Sequence, residues 1–396
     1  MRFFLLFLLV FSSLFGAKVV ELGKRFQSSQ KCKPCHMPIV KDWEHSWHAK
    51  SHYENDEYFR ASIDYVSRKT RKSLDAVKVE CATCHNPRID VTSTDENYEV
   101  SAVMGLNKNS KVKKALESKV ISEGINCLVC HNIDKIHDEY DASKRGINRV
   151  EWTPSGTMTG PFSDANSPYH KTIHHKFMDK NPNKLCFVCH ANDRSVYGLI
   201  FTNMQSEYVK GAKKCVDCHM GEKVHSVAST LRNFHGKARP RDIRHHTFLG
   251  GHVSSFIRGA LSLYIKQKGD NIFVSIINPQ PHNIPSGFGS RELILDITYK
   301  RDLIAINKRN ISLTTHYKRK RDKATIPHLA LKASSNESIP AHGKKVIKLK
   351  KFTGATSIEV ALYYRLVNNE VRSILKLKDS IWAKKSFIAS ESINLK

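Results

Sequence analysis

The chain has 396 residues, with 64 Lys+Arg against 37 Asp+Glu, a formal net charge of +27. With 40% hydrophobic and 26% charged residues it has the composition of a soluble globular protein rather than a disordered or membrane-spanning one. Its length, about two to three domains, supports a sizeable core without staples, which excludes a small disulfide scaffold. Ten cysteines and 21 histidines are left to explain, because neither packing nor solubility calls for so many histidines.

In chain order, Arg2 precedes an uncharged apolar run over residues 3–15 and then Gly16-Ala17. This reads as a secretory signal peptide over residues 1–17. Lys18 interrupts the run before the ~20 residues that a spanning helix needs. The mature chain is therefore expected in the periplasm, and nucleic acid is not an expected partner despite the charge.

All ten cysteines fall into five C-x-x-C pairs, and each pair is followed directly by histidine. The groups are Cys32, Cys35 and His36; Cys81, Cys84 and His85; Cys127, Cys130 and His131; Cys186, Cys189 and His190; and Cys215, Cys218 and His219. Two such thiols form thioethers to the two haem vinyl groups, and the adjacent histidine is then held beneath the porphyrin as an axial ligand to iron. Structural disulfides, tetrahedral zinc and thioredoxin-like redox pairs compete with this reading. None of them has a use for a histidine directly after the second cysteine. The expected cofactor is haem c, five copies, covalently attached.

Sixteen histidines remain, and a low-spin electron-transfer haem takes a second strong ligand such as His or Met. Methionines number only seven, so bis-histidine ligation is the default. The surplus is clustered, with His45, His48 and His52, then His170, His174 and His175, then His225, His235, His245, His246, His252 and His282. Four or five of these are expected to be distal ligands, and from the 170–175 cluster the candidate is His175.

The motifs begin at Cys32, Cys81, Cys127, Cys186 and Cys215, too close for each haem to have a protein core of its own. The porphyrins themselves must form the core, with short helices and long loops between them. Helical periodicity covers residues 56–77 and 110–122, the second ending at Gly124, and residues 153–168 read as loop. After His252 the cysteines stop and period-two alternation begins. Residues 260–267 and 271–277 read as a hairpin. Leu293, Leu295, Ile297 and Tyr299, and later Ile358, Val360, Leu362 and Tyr364, form alternating apolar faces. The fold class is α+β. Residues 18–252 are a mostly helical and irregular multihaem domain, and residues 253–396 are a basic β-sandwich.

Several stretches resemble cytochrome c554-like multihaem proteins. Cys32-Lys-Pro-Cys-His36 followed by Trp43, Ser46 and His48 matches C-x-x-C-H…W-x-x-S-x-H, residues 123–131 match E-G-V-x-C-x-x-C-H, and residues 215–220 match C-x-D-C-H-M. Residues 246–252 and 282–287 resemble elements that follow the haem domain in larger relatives. The resemblance runs from about Lys31 to Arg291. It implies closely stacked haems, bis-histidine ligation and periplasmic electron transfer, with His48 the best supported distal ligand, followed by His246, His252 and His282. Five motifs where cytochrome c554 carries four haems is a departure, so ligand pairings do not carry across whole.

Two functions stay open, the carrier favoured over the enzyme. As an electron carrier, the protein would pass electrons from a quinol-linked or soluble donor to a redox partner, and its basic surface would steer an acidic one. As an oxidoreductase, it would act on a small nitrogen or sulfur oxyanion at a five-coordinate haem. The lysine-ligated C-x-x-C-K variant of ammonia-forming nitrite reductases is absent. A third, compatible reading makes the β-domain an adaptor for a partner or an anionic membrane surface. Residues 251–396 hold 26 Lys+Arg and ten Asp+Glu, and basic runs lie at 318–321 and 344–351.

Overall fold

The computed structural model describes residues 27–87, 91, 93–138, 145–230, 239–334 and 336–396. The expected signal peptide lies outside these residues. The N-terminal half is built of short helices, and each cysteine pair sits on or beside a helical turn. Helices α1 (Lys33–Glu44), α2 (Glu57–Thr70), α3 (Leu74–His85), α4 (Cys127–His131), α5 (Asn183–Cys189) and α6 (Cys215–His219) carry or adjoin the five motifs. A C-x-x-C pair on a helical turn puts both thiols on one side, with the histidine one position beyond.

The helical stretch expected over residues 56–77 is in fact two helices. Asp56 caps α2 by accepting from the Phe59 N–H at 3.0 Å, and Arg71, at φ 64°, ends the helix in a left-handed turn. Ser73 then starts α3 by accepting from the Ala76 N–H. The serine hydroxyl and the turn offer the backbone a better arrangement than an unbroken helix does. The stretch expected over 110–122 is likewise a short helix (Lys111–Leu116) followed by a 3-10 turn (Lys119–Glu123), ending at Gly124 as expected. Within the expected loop at 153–168, Thr157–Gly160 forms a strand paired in parallel with Lys171–His174.

The C-terminal half is a sandwich of two antiparallel sheets. Strands β1 (Ser262–Lys268), β2 (Asn271–Ile277), β3 (Glu292–Arg301), β4 (Ile304–Thr314), β5 (Lys344–Lys350), β6 (Ser357–Arg365) and β7 (Ser386–Asn394) form sheets of order β5-β2-β1 and β4-β3-β6-β7. The β1–β2 hairpin pairs Lys268 with Asn271 around Gly269-Asp270, and Gly269 takes φ 55°. A two-residue turn of this hand matches the twist of the strands. Leu293, Leu295, Ile297 and Tyr299 on β3 and Ile358, Val360, Leu362 and Tyr364 on β6 are buried, and they pack with Ile272, Val274 and Ile276 between the sheets. Strand β5 is an edge strand, and its exposed face carries Lys344, Lys348 and Lys350.

The two halves share a second apolar cluster. Phe59, Ile63 and Val66 of α2 pack with Ile326, Leu329, Val371 and Trp382 of the C-terminal half. Glu57 accepts from the Trp382 indole at 2.8 Å and from the Lys378 and Asp379 N–H groups. The sandwich is therefore fastened directly to the helix beside the second motif.

Candidate haem centres

The ten thiols are all free, and among the described residues no three His, Cys, Asp or Glu side chains converge as a metal-ion site. Thiols of different motifs do meet: Cys32 interacts with Cys127, Cys84 with Cys189, and Cys186 with Cys215. The attachment points are thus neighbours even where the motifs are far apart in sequence.

Three motif histidines face a distant histidine in one repeated geometry. His190 lies opposite His48, His131 opposite His246, and His219 opposite His282, each pair with ring centroids 6.3 Å apart and interplanar angles of 31°, 27° and 29°. That is too far for stacking. It is the separation expected when two imidazoles ligate one metal ion, with bonds of about 2.0 Å on either side and ring centres about 1 Å behind each nitrogen.

Protonation fits ligation as well. Burial pushes His48 down to about 3 and His190 and His246 down to about 4, and it also lowers His131, His219 and His282. The rings are therefore neutral at physiological pH and have a lone pair to give. The Nδ1 of His131 is 2.7 Å from Thr159 O, that of His282 is 2.8 Å from Asn283 O, and that of His219 lies against Leu249 O. His36 Nδ1 is 2.7 Å from Ala228 O. A carbonyl only accepts, so Nδ1 must carry the proton and Nε2 the lone pair. These residues fit covalently attached haem.

The local sequence explains the placement. Trp43 donates its indole N–H to Ile125 O at 2.8 Å, and Ile125 N–H donates to His48 O at 2.9 Å. Gly124 takes φ 60°, and a Cβ there would collide with the His48 carbonyl. Trp43 and Gly124 together pin His48 between the third motif and His190. Glu123 accepts from the Ser29 N–H at 2.8 Å, tying the chain before the first motif to the third. Asp217, inside the last motif, accepts from the Lys214 N–H and from Arg244, two residues before His246.

Two of the expected distal ligands have other neighbours. The Nε2 of His175, the atom a ligand would turn toward iron, is 3.0 Å from Asp134 Oδ1, and the ring stacks on Phe177. The parallel ribbon before His175 carries the side chain to this acidic partner. His252 packs on Trp47 at 4.9 Å, beyond the turn that points His246 inward. Among the described residues no histidine ring pairs with His36 or His85 at the 6.3 Å spacing, although His328 interacts with His85. The Nδ1 of His85 is 3.2 Å from Ser51 Oγ, and its ring stacks on Phe59 at 4.0 Å. His235 lies outside the described residues.

The sequence reading missed His328. This residue sits deep beside the second motif, where burial lowers its pKa to about 4, and its buried Nδ1 has no hydrogen-bond partner. It lies in the cysteine-free half, where no motif flagged it.

A solved structure with a similar fold is the penta-heme cytochrome c552 from Thermochromatium tepidum, with a TM-score of 0.69 and 17% identity over 93% of this chain and 99% of that chain. The chain has the fold of a multihaem cytochrome c. The likeness spans both halves, so the sandwich is part of the cytochrome fold. A hypothetical protein from Pyrococcus horikoshii OT3 and a superoxide reductase each cover 35% of the chain, at TM-scores of 0.16 and 0.18, too low to bear on it. No family model matches the chain, and no curated protein is similar to it.

Proposed function

We propose that the protein is a periplasmic pentahaem c-type cytochrome, akin to the cytochrome c554-like proteins, that transfers electrons between a respiratory donor and a redox partner. The observation that carries this reading is the set of three imidazole pairs at 6.3 Å, each joining a motif histidine to a distant one. The cysteine pairs would hold haem c, which when bound supplies reversible one-electron chemistry at iron.

The work of the chain is to position and to shield. Carbonyl partners on Nδ1 fix the tautomer and orientation of His36, His131, His219 and His282. Burial keeps the rings of His131, His219 and His282 neutral. The contacts Cys32 with Cys127, Cys84 with Cys189 and Cys186 with Cys215 bring the attachment points together, which is what transfer along a chain requires. A secreted location is supported by the residue 1–17 pattern, and no described helix is long and apolar enough to cross a membrane. The basic sandwich suits an acidic partner, a quinol-linked donor or an anionic membrane surface.

A second reading, an oxidoreductase for a small nitrogen or sulfur oxyanion, is favoured by one observation: neither His36 nor His85 has a histidine partner at the 6.3 Å spacing among the described residues. Both readings meet in one experiment on the purified, oxidised protein. Haem quantitation should return five haems per chain, and EPR should be dominated by low-spin bis-histidine signals. Three or fewer haems would overturn the proposal, and a fully low-spin, ligand-inert spectrum would remove the second reading.

A further inference from the structure

Charge is distributed unevenly over the two sheets of the sandwich. On the outer face of β3 and β6, acids and bases are paired, Asp296 with Lys385 at 2.9 Å and Glu359 with Lys300. The three-stranded sheet is different, because β1, β2 and β5 contain no Asp or Glu. Their register sets Lys350 and Lys268 on either side of Asn271, and Lys348 and Lys266 on either side of Phe273. Lys344 stands beside Ile277 at the far end of the same outer face. All five lysines are exposed. Among the described residues the only lysine of these strands paired with a carboxylate is Lys345, on the opposite face, with Glu337.

Toward the Lys344 end this face turns apolar. Tyr264 and Val346 stand on either side of Ser275, 57% and 48% exposed, and Ile277 beyond them is 37% exposed. Apolar side chains ringed by cations are the pattern of an interface, an apolar centre within a charged rim. The apolar end is also bonded to a candidate haem centre. Asn278 follows Ile277 and is fully buried, and its side-chain amide donates to His282 O at 2.9 Å. Its backbone N–H donates to Gly343 O, next to Lys344, at 2.9 Å. The face therefore ends on the segment whose imidazole stands opposite His219.

We propose that the outer face of β5-β2-β1 docks an acidic redox protein, its Ile277 end bringing the partner's redox centre up to the haem held at Cys215, Cys218 and His219. This surface deepens the electron-transfer reading and rests on it. One electron passes in each encounter, from the reduced partner to ferric iron or back, and no bond or proton is exchanged. Seven residues of strand span about 20 Å, and the two flanking strands stand about 10 Å apart. That is the scale of the small interface of a transient redox encounter. An anionic membrane would satisfy the lysines equally, but it gives no reason for the face to end at His282. A second copy of this chain would set lysine against lysine.

The test is anaerobic stopped-flow reduction of the purified five-haem protein by the hydroquinone of an acidic flavodoxin. Lys266→Glu with Lys344→Glu should lower the second-order rate at low ionic strength by about fivefold or more and flatten its salt dependence. Lys308→Glu with Lys320→Glu makes the same charge change at exposed lysines outside this sheet and should stay within about twofold of wild type. Tyr264→Ser with Val346→Ser should slow transfer by about threefold at every ionic strength and keep the salt slope. The proposal is overturned if the Lys266 and Lys344 pair reacts like wild type, or if the control pair slows as much. It is equally overturned if the face variant loses only its sedimentation with phosphatidylglycerol vesicles and keeps the flavodoxin rate, which would mark a membrane patch. Should the glutamate pair fail to take up haem, Lys266→Gln with Lys344→Gln decides in its place. A wild-type chain with no attached haem would sink the electron-transfer reading itself, whereas five haems and an unaffected rate would sink only this surface.

Discussion

At the residue scale, histidine does two jobs here that composition cannot separate. His48, His246 and His282 face motif histidines at one common spacing, whereas His175 and His252 pack against Asp134 and Trp47. Four of the five sit in histidine-rich stretches, and what sorts them is the neighbour that the backbone delivers. His48→Ala should leave five haems attached but convert the haem of Cys186 and Cys189 from low-spin to high-spin, read by EPR. An unchanged spectrum would remove His48 as its ligand. Gly124 gives a subtler test of the same site, because any side chain there meets the His48 carbonyl in a left-handed conformation. Gly124→Ala is expected to cost about 1–3 kcal/mol in chemical denaturation and to weaken the same low-spin signal.

Among the elements, helix α2 matters most, because it joins the second motif to the sandwich. Its N-cap Asp56 holds the turn that carries Phe59, and Phe59 stacks on His85. Asp56→Ala should destabilise the protein by about 0.5–2 kcal/mol in denaturant melts, with the optical signature of the haem at His85 shifting as well. A loss of stability with no change at that haem would separate the cap from the site. The break at Arg71 was hidden in the sequence because the apolar spacing continues smoothly across it. The signal available was Ser73, a capping residue inside an apparently helical run.

For the whole molecule, the sandwich matters as a body that is both fastened and charged. Glu292 on β3 and Arg365 on β6 form a buried ion pair, 4% and 7% exposed, with Arg365 Nε 2.8 Å from the Glu292 carboxylate. Glu292→Ala leaves an unpaired buried guanidinium and should cost about 3–5 kcal/mol, measured by thermal melting of the intact protein. The lysines of β5 are exposed on an edge strand, a position where lysine also discourages strand addition by another chain. Lys348→Glu with Lys350→Glu should therefore leave the melting temperature nearly unchanged. With an acidic flavodoxin as the probe donor, the reduction rate at low ionic strength should fall several-fold and lose its salt dependence. Unchanged salt dependence would mean that these lysines only guard the edge.

The sequence by itself determined the five C-x-x-C-H motifs and the texture of both halves. Five cysteine pairs with adjacent histidines are local patterns, because the two thiols and the ligand must lie within one helical turn. The alternation on β3 and β6 is equally local, set by the period of a strand against a single buried face. Only the tertiary structure decided what depends on separation in space: which distal histidine meets which motif, that His175 turns to Asp134, and that His328 from the cysteine-free half reaches the second motif. Imidazole pairs such as His48 with His190 join residues far apart in the chain. Their meeting is fixed by backbone contacts such as Ile125 with His48, which no spacing rule encodes.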